Sequence, residues 1–73
     1  MLGKLIKQYI DENGIKQKKV ADDSGMKPQA LNDVLNERRK IEATEYFNVC
    51  KALNVGLDYF ANKMEQVNKK ASA

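Results

Sequence analysis

The residues with most to offer chemically lie in "PQALNDVLN", residues 28–36. Gln29, Asn32, Asp33 and Asn36 are polar side chains that a helix does not need, spaced to share the outer face of one starting at Pro28. Each carboxamide offers donors and an acceptor, and the carboxylate accepts. That is equipment for recognition by hydrogen bonding. Catalysis has far less to work with. The chain has no histidine, and its one cysteine, Cys50, lacks an imidazole partner to activate it. No cysteine–histidine set can hold zinc and no intrachain disulfide can form. No catalytic residue, metal or cofactor is therefore expected.

These side chains need a frame. Seventy-three residues suffice for one small domain close to the lower size limit for a self-supporting core. Leu2, Leu5, Ile6, Tyr9 and Ile10 form a single helical stripe, closed by Asn13-Gly14. A second helix is expected from Gln17 to Ser24, burying Val20 and Ala21 and ending at Gly25. Pro28 suits the first turn of a third, which buries Ala30, Leu31, Val34 and Leu35. "NERRK" (36–40) reads as a loop. Ala43, Tyr46, Phe47, Cys50 and Leu53 mark a fourth helix; Leu57, Phe60, Ala61 and Met64 mark a fifth. Tyr46, Phe47, Leu57 and Phe60 are expected in the core. No segment alternates as a strand does, so the expected class is all-α, with residues 1–65 as the domain and 66–73 as a frayed tail.

Charge adds a direction. The chain carries a net charge of +3, and the whole excess falls between Lys16 and Lys40. Such a balance favours an anionic partner. The longest apolar runs are too short to span a membrane and no signal peptide is evident, so a cytoplasmic protein without a membrane partner is expected.

The spacing of "QKKVADDSGMKPQALNDVLN" (17–36) is that of a helix-turn-helix. Ala21 supplies the small side chain where two helices cross, Gly25 the positive φ of the turn, and Leu31 and Val34 the inner face of the second helix. Together with "LGKLIKQYIDENGIKQ" (2–17) and "KALNVGLDYF" (51–60), the chain resembles the Cro and C1-repressor type helix-turn-helix (XRE-like) family over residues 2–64. The resemblance implies a five-helix, lambda-repressor-like DNA-binding domain with the motif in helices 2 and 3. It implies a sequence-specific regulator of double-stranded DNA, expected to be a repressor of phage or mobile-element type, encoded by a bacterium or phage and associated with the nucleoid. It also implies a homodimer on a palindromic operator, with no small-molecule effector.

Carried over position by position, Pro28, Gln29, Asn32 and Asp33 match the base-contacting face. Gln17 and Asn36 match phosphate contacts, and Lys27, Arg38, Arg39 and Lys40 add phosphate affinity. Gln29 and Asn32 suit adenine, and Asp33 suits cytosine N4 or the holding of a neighbouring lysine. Tyr59, Met64 and Val67 are candidate dimer contacts, since relatives commonly pair through their last helices. The chain departs from the family pattern at Lys16, a poor N-cap, at Pro28, at Leu35, and at Glu37, which replaces a common glycine. The rival reading is a protein-interaction module, such as an antitoxin or adaptor, on the same fold.

Overall fold

The computed structural model describes the backbone of residues 1–72 and the side chains of residues 1–65. It contains five helices in the expected order: α1 (Leu2–Glu12), α2 (Gln17–Ser24), α3 (Pro28–Leu35), α4 (Ala43–Leu53) and α5 (Asp58–Ser72). Among the described residues there is no strand. Each boundary has a local cause. Gly14 ends α1 at φ 63° and Gly25 ends α2 at φ 74°, left-handed conformations that glycine adopts without a Cβ penalty. Asn54 takes the same region at φ 59° to close α4, a position asparagine tolerates better than most residues. The expected frayed tail at 66–73 lies outside the residues whose side chains are described.

The core draws on every helix. Ile6 and Ile10 come from α1, Val20 and Ala21 from α2, and Leu31, Val34 and Leu35 from α3. Val49, Cys50 and Leu53 come from α4 and Phe60 from α5. Each large aliphatic buried here contributes on the order of 1.5–3 kcal/mol of transfer free energy. α2 packs most extensively on α4 and also on α3, while α1 bridges α3 and α5. Gly3 makes the α1–α3 approach possible: a Cβ placed there would meet the Val34 carbonyl oxygen at 2.0 Å.

An aromatic cluster seals the other end. Phe60 is surrounded edge-to-face by Tyr59 at 5.0 Å, Tyr9 at 5.8 Å and Tyr46 at 6.5 Å. The Tyr46 hydroxyl donates to the Leu57 carbonyl oxygen across the α4–α5 junction. Burial pushes its phenol up to about 12, with the neighbouring Cys50 adding to the effect.

Two core expectations are corrected. Phe47 is 50% exposed and Leu57 49% exposed, so neither belongs to the core. Val49, absent from the expected stripe, is fully buried. The inward arc of α4 runs Tyr46, Val49, Cys50, Leu53, and that arc leaves Phe47 on the shoulder. Ala43 and Ala61 are also exposed, and Ala30 is half-buried.

Candidate nucleic-acid interface

The geometry of the interface begins at the turn between α2 and α3. Gly25 N–H donates to the Asp22 carbonyl (3.3 Å) and Met26 N–H to that of Ala21 (3.0 Å), which satisfies the last carbonyls of α2. Met26 plugs the turn into the core at 9% exposure, a burial that no periodicity announced. Ser24 is buried and donates its hydroxyl to the Ala21 carbonyl at 3.2 Å. Lys27 is extended (φ −66°, ψ 141°), as a residue preceding proline prefers, and Pro28 then opens α3. Ala21 is completely buried, as a close α2–α3 crossing requires. The outcome is a short, rigid turn that leaves Lys27, Pro28 and Gln29 exposed on the first turn of α3.

Two hydrogen-bonded groups organise the outer face. In the first, Asn36 Nδ2 donates both to the main-chain oxygen of Asn32 (2.8 Å) and to its Oδ1 (3.1 Å). Because the first acceptor is a backbone carbonyl, the Asn36 amide has only one consistent orientation. Gln17 Nε2, from the start of α2, donates to the same Asn32 Oδ1 at 3.3 Å and ties the two helices together. In the second group, Gln29 Nε2 donates to Asp33 Oδ1 at 3.1 Å, and Arg38 Nη1 lies 3.5 Å from the same oxygen. Asp33 thus holds a glutamine and an arginine rather than a lysine.

Asn36 and Arg39 both carry contacts inside the protein. Among the described residues, Asn36 Nδ2 is engaged by Asn32 alone, through its main-chain and side-chain oxygens. The Arg39 guanidinium forms a two-pronged pair with Glu45, at 3.0 Å and 2.7 Å, and donates to the Lys40 carbonyl at 3.2 Å. Lys27 and Lys40 are exposed and make no ion pair among the described residues.

Two acidic residues outside the motif, Glu45 and Glu37, tie the 36–40 loop to α4 and to α1. Glu45 closes a capping box with Glu42 at the start of α4, and the spacing Glu42-x-x-Glu45 ahead of an apolar run was its signal. The Arg39 guanidinium, followed by the Glu42 N–H, holds the Glu45 carboxyl below the usual range. Glu37 sits at φ 60°, where glycine is the easier choice. Its Oε1 lies 2.6 Å from the Met1 ammonium and accepts from the Lys4 N–H at 3.0 Å, so it caps α1 from the end of α3. The Met1 ammonium first, then that N–H, lowers its pKa. No local pattern marks a contact spanning 33 residues.

Of the candidate dimer residues, Tyr59 spends its ring on Tyr9 at 5.4 Å and on Phe60, with Lys63 Nζ 4.8 Å above it. Met64 is half-buried beside Leu2, Val34 and Ile41. Val67 lies outside the residues whose side chains are described. Among the described residues no group of three or more cysteine, aspartate and glutamate side chains could hold a metal ion. None of the helices is long and apolar enough to cross a membrane.

No curated protein matches the chain. A family model described as helix-turn-helix matches residues 6–60, from the buried Ile6 of α1 to the buried Phe60 of α5. With that match across the turn and both helices that frame it, the chain belongs to the Cro/C1-type helix-turn-helix family of DNA-binding regulators.

Proposed function

We propose that the protein is a repressor of phage or mobile-element type that binds a palindromic operator as a homodimer, with α3 in the major groove. The observation that carries this reading is the exposed first turn of α3, where Gln29 is held by Asp33 next to Lys27, which makes no ion pair among the described residues. One Nε2 hydrogen of Gln29 is engaged; the other hydrogen and Oε1 form a donor–acceptor pair that matches adenine N7 and N6. Asn32 is different. Its oxygen is committed to Gln17 and Asn36, so it presents its NH2 group and suits an acceptor edge such as guanine N7 or O6. Pro28 offers only apolar contact, for which a thymine methyl is the partner. Gln17, Lys27, Arg38 and Lys40 supply the phosphate contacts, and Arg39 positions the loop through Glu45.

Backbone polarity agrees. Neither α2 nor α3 has a side-chain cap or an acidic residue in its first turn. Their free N–H groups and positive dipole ends are open to a phosphate. Repression follows from occupancy, since a domain seated on its operator excludes other proteins from that DNA.

Selection of bound sequences from a random duplex pool tests the proposal. The expected product is a two-fold symmetric site with half-sites about one helical turn, ~34 Å, apart. An unenriched pool would overturn it.

A further inference from the structure

The end of α3 folds a cation back over the helix it has just left. Glu37 takes the left-handed conformation at φ 60°, and its N–H donates to the Val34 carbonyl at 3.1 Å. Arg38 N–H then donates to the Asp33 carbonyl at 2.8 Å. Together these bonds make a Schellman closure, with Glu37 in the place glycine usually takes. They fix the Arg38 backbone beside Asp33 whatever its side chain does. The guanidinium lies 3.5 Å from Asp33 Oδ1, an oxygen that also accepts from Gln29. Asp33 is the only acidic residue in α3. Among the described residues, Lys19 pairs with Asp23 and Arg39 with Glu45, so Arg38 is the one cation tied to the reading helix.

Resting on the DNA-binding reading above, we propose that Asp33 and Arg38 form a latch that couples base recognition to backbone affinity. On DNA of unrelated sequence the arginine stays on the carboxylate and takes no phosphate. Where the site presents a cytosine N4 amino group to Asp33, the carboxylate exchanges its ionic partner for the base. Arg38 then turns to a phosphate.

Charge links the two events. A carboxylate pressed toward DNA is repelled by phosphates and loses part of its water, so it needs a positive or donating partner. Arg38 meets that need in the free protein. On the right site a cytosine amino group meets it, whereas the acceptor edges of guanine and thymine add to the repulsion. The pair is also weak enough to open. Arg38 is 64% exposed and Asp33 31%, and pairs this open to water hold little. Gln29 remains on Oδ1 throughout, so the carboxylate keeps its aim while it changes partners. Selectivity of this form comes from withholding an attraction from the wrong partner.

The salt dependence of binding counts phosphate contacts and so reads the latch directly. The whole protein is titrated onto a duplex carrying the site selected from the random pool, and onto one of unrelated sequence. On the selected duplex Arg38→Ala should flatten the slope of log K against log salt by ~0.9, the value of one phosphate contact. On the unrelated duplex the same substitution should leave the slope unchanged. Asp33→Asn should steepen the slope on the unrelated duplex by one contact and raise affinity there severalfold. Adding Arg38→Ala to it should cancel both gains. Neither side chain belongs to the core, so the fold survives each change. Equal flattening on both duplexes would make Arg38 an ordinary phosphate contact and overturn the latch. No flattening on either, or an Asp33→Asn gain that outlasts the loss of Arg38, would overturn it too. A wild type that bound neither duplex would bring down the DNA reading and the latch together.

Discussion

The helix starts of this protein divide into two groups. α1, α4 and α5 each begin beside a carboxylate: Glu37 reaches α1 from the end of α3, Glu42 and Glu45 box the start of α4, and Asp58 lies in the first turn of α5. α2 and α3 begin at Lys16 and Lys27, with no acid in the first turn and no side-chain cap. Lysine is a poor cap and its charge opposes the positive end of the helix dipole. The frame is thus built for stability, whereas the motif gives up about 1 kcal/mol at each start. What makes the motif less stable alone makes it receptive to an anion. Its cohesion comes from packing instead, through Ala21, Leu31 and Val34.

Ala21→Glu should break this contrast most severely. A charge forced into a fully closed α2–α3 crossing costs about 4 kcal/mol or more, so the variant should be unfolded or rearranged by circular dichroism. Gln29→Ala should separate reading from folding. Its melting temperature should stay within a degree or two of wild type, while discrimination between operator and random DNA falls by ~1–3 kcal/mol in a competition titration.

Glu45→Gln probes the frame, with an expected loss of ~1 kcal/mol from the α4 box and the Arg39 pair. The Glu45 carboxyl is depressed in the folded state, so its contribution is full above about pH 5 and disappears as the pH falls through its folded value. The glutamine variant should show a shallower acid limb of thermal stability. The mildest change is Lys27→Asp, which gives α3 the cap it lacks. It should raise stability by ~0.5–1 kcal/mol and weaken binding to every duplex, with a salt dependence lower by about one phosphate contact.

The bounds of α2 and α3 were legible in the sequence because Gly25 and Pro28 punctuate them chemically, and both helices begin and end where the sequence places them. Rotation of α4 about its axis was harder to read. Tyr46, Val49, Cys50 and Leu53 fall at i, i+3, i+4 and i+7, but Phe47 adjoins the same arc, and its size favoured it over Val49. Only packing against α2 settles which side turns inward. At the interface, the residue types were visible, but their partners were not. Whether Arg39 faces Glu45 or solvent depends on how the 36–40 loop meets α4, and composition carries no trace of that. The pairing of Gln17 with Asn32, fifteen residues away, likewise needs the turn to be closed first.

The aromatic cluster has a practical consequence. The chain has no tryptophan, and its three tyrosines, on α1, α4 and α5, all stand edge-on to Phe60. Near-ultraviolet dichroism and intrinsic fluorescence will therefore report the docking of α5 on α1 and α4. Neither signal arises from α3, which carries no aromatic residue. An optical melt of this protein follows its frame, and a probe on the recognition helix has to be installed.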